Sequence, residues 1–66
     1  MEKNEIKKLL YTHKPIATFS YIRKGVAYYK TKVNDIEVIF NIPVVDMGDA
    51  DFLPEMEAKL LVRWIM

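Results

Sequence analysis

Three segments between residues 16 and 42 alternate apolar and polar side chains with a period of two, and short turn-forming stretches separate them. The segments are rich in β-branched and aromatic residues, which favour strands. Arg-Lys-Gly at 23–25 predicts a three-residue hairpin loop, and Asn-Asp at 34–35 predicts a tight turn. The pattern therefore predicts a three-stranded antiparallel meander. Its predicted strands are 16–22, 26–33 and 36–42.

The alternation assigns each strand residue to one of two faces of the sheet. One set should point toward a core: Ala17, Phe19, Tyr21, Ala27, Tyr29, Thr31, Val33, Ile36, Val38, Phe40 and Ile42. The other set should point outward: Ile16, Thr18, Ser20, Ile22, Val26, Tyr28, Lys30, Lys32, Glu37, Ile39 and Asn41. The outward set is unusually apolar and aromatic for a solvent-facing surface, which is typical of an interface. Scattered exposed apolar residues are also normal on folded proteins, and that reading stays open.

Helical spacing flanks the meander on both sides. Ile6, Leu9 and Leu10 form an apolar stripe that predicts a short helix over 4–12, and a second stripe predicts a helix over about 52–65. Both helices should cover one face of the sheet, because a meander alone cannot bury an apolar face. The sequence thus predicts an α+β fold: residues 1–66 form a single two-layer domain of order α-β-β-β-α. The predicted core contains Leu9, Phe19, Tyr29, Val38, Phe40, Leu60 and Trp64.

The inventory of reactive side chains is small. The chain has no cysteine and a single histidine, His13, and its two glycines form no phosphate-binding loop. Asp46, Asp49 and Asp51 have oxygen ligands for a hard cation, but their spacing does not match a calcium loop. We therefore expect no enzyme activity, no cofactor and no metal site. Without a long apolar run or a signal-like N-terminus, we expect a cytoplasmic protein that does not span a membrane.

The net charge of +1 conceals an uneven distribution along the chain. Residues 1–33 contain eight basic and two acidic side chains, whereas residues 34–66 contain two basic and seven acidic ones. One interpretation is a bipolar surface that steers a charged partner, and the other is a pair of ordinary solvated faces that attract each other in the fold. The acidic stretch could imitate a line of phosphates and occupy a basic channel. Its residues are Asp46, Asp49, Asp51, Glu55 and Glu57.

Two resemblances accompany these patterns. The predicted αβββα order is similar to that of the double-stranded-RNA-binding domain, a family with a Lys-Lys-x-x-Lys-like cluster at the start of its last helix. Here the matching place holds Pro54-Glu55-Met56-Glu57, which reverses the charge, so no functional residue carries over. In composition, the cysteine-free, Lys/Ile/Tyr/Asn-rich chain resembles small accessory proteins of tailed bacteriophages. That resemblance implies an inhibitor of a host enzyme or defence complex.

From these observations we expect a non-enzymatic binding protein that inhibits or modulates a host protein or protein complex. One alternative is a nucleic-acid-binding protein that uses the basic hairpin at 23–32, and another is an oligomer, assembled through the outer sheet face, that sequesters a small ligand. Besides the acidic stretch, the predicted partner-binding residues are Arg23, Lys24, Tyr28, Lys30, Lys32 and Ile39.

Overall fold

The computed structural model describes residues 2–47 and 53–66. The α+β class predicted from the sequence is confirmed: a helix precedes an antiparallel sheet of four strands, and a further helix ends the chain. The elements, in chain order, are α1 (Lys3–His13), β1 (Ile16–Arg23), β2 (Val26–Val33), β3 (Ile36–Pro43), a first 3₁₀ helix (Val44–Met47), β4 (Glu55–Glu57) and a second 3₁₀ helix (Ala58–Trp64). The predicted three-stranded sheet thus has a fourth strand, in the order β3-β2-β1-β4.

Helix α1 lies where its apolar stripe predicts. Leu10 is fully buried, while Ile6 and Leu9 pack against the core at its margin. The helix ends at Lys14, which adopts a left-handed conformation and donates its backbone N–H to the carbonyl of Leu10 at 2.9 Å. This is an αL C-cap, and Pro15 follows it because proline cannot continue the helix.

Two-residue loops close both hairpins of the meander. Lys24 and Gly25 connect β1 to β2, and Asn34 and Asp35 connect β2 to β3, all with positive φ angles between 49° and 75°. Positive φ at both loop positions is the mark of a type I′ turn, whose twist suits an antiparallel hairpin. The three-residue loop predicted at 23–25 is wrong, because Arg23 pairs with Val26 and ends β1.

A β-bulge interrupts the pairing of β1 with β2. Phe19 faces Tyr29 and Tyr21 faces Tyr28, so Ser20 is an extra residue with no partner on β2. The insertion reverses the alternation of β1 from Tyr21 onward. Tyr21, predicted to point inward, therefore shares a face with Tyr28 and is half exposed. Ile22 faces Ala27 on the inner side but lies beyond the core, with 45% of its surface exposed.

The predicted helix over 52–65 is wrong in type and in extent. Glu55–Glu57 instead adds a strand to β1, pairing with Ile16–Thr18. After it, Ala58, Leu61 and Trp64 follow one another at intervals of three, the period of the second 3₁₀ helix that they occupy. An α-helical period puts Leu60 in the core, whereas this period leaves Leu60 63% exposed and buries Leu61.

The C-terminal segment links the two edges of the sheet. At one edge, Phe19 donates its N–H to the carbonyl of Pro54 and Ala58 donates to that of Pro15, both at 2.9 Å. At the other edge, Ile65 forms a bridge with Phe40 of β3. The second 3₁₀ helix therefore crosses the inner face of the sheet beside α1, so that both helices cover that face.

The core lies between this sheet face and the two helices. Of the seven predicted core residues, Tyr29, Val38 and Phe40 are buried, and Leu9, Phe19 and Trp64 are partly buried against the core. The buried set is Leu10, Ala17, Ala27, Tyr29, Thr31, Val33, Val38, Phe40, Ile42, Ala58 and Leu61.

Tyr29 is the largest polar side chain inside the core. Its hydroxyl donates a 2.7 Å hydrogen bond to the carbonyl of Leu53, and its ring packs edge-on against Phe19 with 5.5 Å between centroids. The neighbouring buried hydroxyl, Oγ1 of Thr31, donates to the carbonyl of Ile16 at 2.9 Å. Burial raises the pKa of the Tyr29 phenol above its usual value of 10.0, because the charged phenolate is poorly solvated there.

Replacing Tyr29 with Phe tests this hydrogen bond and its pH dependence. We expect Tyr29→Phe to lower the free energy of unfolding by about 1 kcal/mol at neutral pH, the usual value of one hydrogen bond. The raised pKa means that the folded state resists ionisation, so this site's stabilisation is complete below pH 10.0 and is lost as the pH rises above it. Tyr29→Phe should therefore lose less stability than wild type in alkaline urea titrations. As a control, Tyr11→Phe, which changes an exposed tyrosine, should lose as much unfolding free energy as wild type over the same pH range. Equal losses in all three proteins would contradict the assignment.

The period of the second 3₁₀ helix predicts that truncating two large apolar residues has very different effects on stability. Trp64 packs against the core and carries the Arg63 guanidinium 4.4 Å above its ring, whereas Leu60 is exposed. We expect Trp64→Ala to lower the free energy of unfolding by about 3 kcal/mol and Leu60→Ala to change it by less than about 0.5 kcal/mol. Thermal and urea unfolding followed by circular dichroism measures both. Comparable losses in the two variants would show instead that Leu60 and Trp64 both face the core, as they would in an α-helix.

Candidate interaction surface

The sheet face that points away from α1 and the second 3₁₀ helix is called the outer face. Residues paired directly across antiparallel strands share a face, so the register defines its rows. Ile16 and Tyr21 are each 50% exposed on it, and Ile39 is 39% exposed. Within residues 2–47 and 53–66, no helix or strand covers this face. The outer face therefore exposes apolar side chains that the core does not use, with Lys30 and Thr18 between them.

Two stacked tyrosines lie on the two central strands of the outer face, one row from the β1–β2 turn. The rings of Tyr21 and Tyr28 are nearly parallel, with 4.7 Å between centroids and 16° between planes. The bulge at Ser20 brings the two rings together, since regular alternation would point Tyr21 inward. Beside them lies a hollow of about 240 Å³. Its lining consists of Ser20, Tyr21, Tyr28, Tyr29, Lys30, Glu37, Ile39 and Met66.

The predicted basic residues gather on or beside the outer face. Lys30 and Lys32 alternate along β2, Arg23 ends β1, and Lys24 lies in the adjoining turn. All four are exposed. The four thus lie on or beside the same face as Tyr28 and Ile39, with Arg23 and Lys24 at the β1–β2 turn and Lys30 and Lys32 farther along β2.

Acidic residues share the same face. Glu37 pairs with Lys32 across β2 and β3, Glu57 pairs with Ile16, and Glu55 pairs with Thr18. The two halves of the chain, opposite in net charge, are therefore interleaved by strand pairing and do not form two separate ends.

The predicted acidic stretch divides. Asp49 and Asp51 lie outside the described residues. Asp46, in the first 3₁₀ helix, is exposed. It lies at an apolar hollow of about 210 Å³ whose other lining residues include Met56 and Trp64. Glu55 and Glu57 lie on β4. Glu57 is also the N-cap residue of the second 3₁₀ helix, but its side chain makes no capping hydrogen bond and forms an ion pair with Lys59 at 3.4 Å. The described members of the stretch thus do not form one line of charge.

The described residues offer little for catalysis or metal binding. His13 is exposed at the end of α1, and Tyr29 is buried with its hydroxyl engaged. In residues 2–47 and 53–66, no three metal-ligating side chains cluster together. None of the described helices has the length and apolar character needed to cross a membrane.

Comparison with protein-family models, with curated proteins and with solved structures finds no match to this chain. The resemblances to double-stranded-RNA-binding domains and to phage accessory proteins therefore stay predictions.

Sequence reasoning missed Tyr21 and Met66 as members of this surface. Met66 donates its N–H to the carbonyl of Ile39 at 3.1 Å, which brings the end of the chain to the edge of the outer face. The displacement of Tyr21 follows from the bulge, and Ser20 carries no signal that distinguishes a bulge from an ordinary strand residue.

A double-mutant cycle measures the tyrosine stack. We expect Tyr21→Ala and Tyr28→Ala to be coupled by about 0.5–1 kcal/mol in the free energy of unfolding, the usual worth of an aromatic cross-strand pair. Urea unfolding of wild type, both single variants and the double variant gives the coupling. The control is the pair Tyr11→Ala and Tyr28→Ala, whose residues lie on α1 and on the outer face. Their effects on the free energy of unfolding should be additive. Additivity of Tyr21 and Tyr28 would contradict the stack.

Proposed function

We propose that this chain is a non-enzymatic binding protein that attaches to a protein partner through the outer face and thereby inhibits or modulates it. One observation supports the proposal above the others: Ile16, Tyr21 and Ile39 are exposed together on a sheet face that contributes nothing to the core. Contiguous apolar surface with a polar rim is typical of protein interfaces.

The charges of the outer face favour a protein over a nucleic acid as the partner. Phosphate contacts dominate nucleic-acid affinity, and carboxylates within the footprint oppose them. Glu37, Glu55 and Glu57 stand among the basic residues on this face. A surface with both signs of charge around an apolar centre suits a protein surface of similar mixed character.

The partner class follows from the compositional resemblance to phage accessory proteins. We propose a host nuclease, polymerase or defence complex as the target, blocked by occupation of its surface and not by chemistry. The exposed tyrosines are suited to this role, because tyrosine is enriched among the residues that contribute most to interface energy.

Affinity purification from host cytosol, with and without nuclease, tests the proposal. We expect a protein partner that is retained after nuclease treatment. The variant Tyr21→Ser/Ile39→Thr should reduce its recovery about tenfold, because each change removes an apolar contact from the outer face. The matched control, Tyr11→Ser/Leu60→Thr, changes two apolar residues that are more exposed than Tyr21 and Ile39 and lie away from that face, and it should bind as wild type. Equal recovery with both variants, or loss of the partner on nuclease treatment, contradicts the proposal.

A second candidate function is single-stranded nucleic-acid binding by the hairpin at 23–32. The stacked Tyr21–Tyr28 pair, flanked by Lys30 and Arg23, is the observation that favours it, since aromatic platforms with nearby cations hold bases and phosphates. Fluorescence anisotropy with a labelled oligothymidylate tests it at low salt. Binding that weakens steeply with salt and is abolished in Lys30→Glu/Lys32→Glu supports this candidate; no binding at low salt eliminates it.

A further inference from the structure

We propose that the edge of β4 that faces away from β1 receives an extended segment of the partner protein, which adds a strand antiparallel to β4. The segment carries basic side chains opposite Glu55 and Glu57 and an aliphatic side chain opposite Met56. The inference rests on the proposed function for the existence of a protein partner, and it names the part of that partner that is recognised. The added strand borders the outer face, because Glu57 is paired with Ile16.

Alternate residues of β4 direct their backbone groups toward β1. The carbonyl of Pro54 and the N–H of Ala58, which flank β4, both form hydrogen bonds of 2.9 Å toward that side. In an antiparallel ladder, the residues between hydrogen-bonded pairs turn their N–H and C=O groups away from the neighbouring strand. The register of β4 with β1 is regular, so Glu55 and Glu57 are the residues whose backbone groups point to the outer edge.

This edge is open within residues 2–47 and 53–66. β4 is the last strand in the order of the sheet, and no backbone hydrogen bond in the described chain reaches the N–H or C=O of Glu55 or the N–H of Glu57. The other edge differs, because Met66 donates its N–H to the carbonyl of Ile39 on β3. Unpaired groups on an edge strand are a template for another strand, and strand addition is a common mode of peptide recognition.

The side chains of the edge select a basic strand. Glu55 and Glu57 are both exposed, and their two-residue spacing places both carboxylates on the outer face. Side chains directly opposite them on an added strand would lie on the same face, where opposite charges stabilise the pairing and like charges destabilise it.

The ion pair of Glu57 within the chain does not remove this preference. Lys59 contacts Oε2 of Glu57 at 3.4 Å, and both side chains are partly exposed, so the pair is weak. The carboxylate keeps a second oxygen that can accept from another cation. Glu55 forms no ion pair with any residue of the described chain. The edge thus keeps a net negative charge that a basic segment would offset.

The same charges disfavour a second copy of this chain at the edge. Two β4 strands related by a two-fold axis would pair antiparallel. Every register that brings their outward-pointing residues together places at least one glutamate opposite a glutamate, since Glu55 and Glu57 are the only such residues of β4. Like charges in that position destabilise the pairing. The edge therefore rejects its own copy and admits a strand of opposite charge, which is specificity gained by repulsion.

Met56 sets the middle position of the recognised segment. It pairs with the buried Ala17, so its side chain lies on the inner side of the sheet, where it is partly buried against the core at the hollow of about 210 Å³. The residue opposite Met56 on an added strand points to that same side. An aliphatic side chain suits the flexible thioether there. The edge therefore recognises the pattern basic, aliphatic, basic over three residues.

Titration of the ¹⁵N-labelled protein with two synthetic peptides tests the inference. The first probe is acetyl-Thr-Lys-Val-Lys-Thr-amide, and the second has glutamate in place of both lysines. We expect the lysine peptide to bind about tenfold more tightly, because both charge pairs change sign between the peptides. It should also slow hydrogen exchange at the amides of Glu55 and Glu57, which become hydrogen-bonded. The amide of Met56, which already faces β1, is the internal control and should change little.

A proline variant separates the backbone contribution from the charge. Glu57 has a φ angle of −63°, the value that a proline ring imposes, and its N–H points away from β1. Glu57→Pro therefore fits the fold and removes one outward donor, whereas Glu57→Gln removes the same charge and keeps that donor. We expect Glu57→Pro to bind the lysine peptide about fivefold more weakly than Glu57→Gln, the usual effect of one hydrogen bond.

Charge reversal at the edge should reverse the preference. Glu55→Lys/Glu57→Lys should bind the glutamate peptide more tightly than the lysine peptide. The matched control, Glu2→Lys/Glu5→Lys, makes the same change in net charge at exposed positions of α1 and its N-cap and should keep the wild-type preference. Far-UV circular dichroism establishes that each variant is folded, and the exchange data on wild type test the inference without any variant.

Several results would overturn the inference: no binding of either peptide, equal binding of both, or protection that spares Glu55 and Glu57. A wild-type dimer that Glu57→Pro abolishes would show that a second copy occupies the edge, which also overturns it. A cytosolic partner that Glu57→Pro retains fully but Tyr21→Ser/Ile39→Thr loses rejects the added strand and leaves the proposed function standing. Selective binding of the lysine peptide without any partner from cytosol supports the edge site and counts against the proposed function.

Discussion

The crossing of the C-terminal segment over the inner face is the constraint on which the rest of the structure depends. Three strands and one short helix cannot bury Tyr29, Phe40 and their neighbours by themselves. The segment is attached at one edge through Pro54 and Ala58 and at the other through Ile65. Because it is fixed on both sides, Leu61 and Trp64 are held over the core, and the hydroxyl of Tyr29 reaches the carbonyl of Leu53 near its start.

This arrangement explains which parts of the fold were predictable. The meander has strong local signals, since each strand alternates and each loop contains residues that tolerate positive φ. The C-terminal segment has an ambiguous signal, because its consecutive apolar residues Leu60, Leu61 and Val62 supply a core-facing side chain in either an α-helical or a 3₁₀ period. Pairing of Glu55–Glu57 with β1 resolves the ambiguity, and that contact joins residues about 40 positions apart. Only the tertiary structure supplies it.

The candidate surface was predictable to the same degree as its strands. Tyr28, Lys30, Lys32 and Ile39 lie on the outer face because β2 and β3 alternate without interruption. Tyr21 does not follow its alternation, because the bulge adds one residue to β1, and a single insertion moves every later side chain to the other face. Glu55 and Glu57 reach the same face through a strand that the sequence did not indicate.

The composition of the outer face is not explained by strand formation alone. β-branched residues favour strands wherever they point, so Ile16 and Ile39 have a local reason to be present. Threonine would satisfy the same preference without exposing an apolar side chain, as Thr18 does two residues after Ile16 on β1. A parallel pair of tyrosines formed by a bulge has no such local reason, since the bulge interrupts the ladder that the strand would otherwise complete. A binding role for the outer face, which we propose, would account for both the bulge and the exposed tyrosine pair.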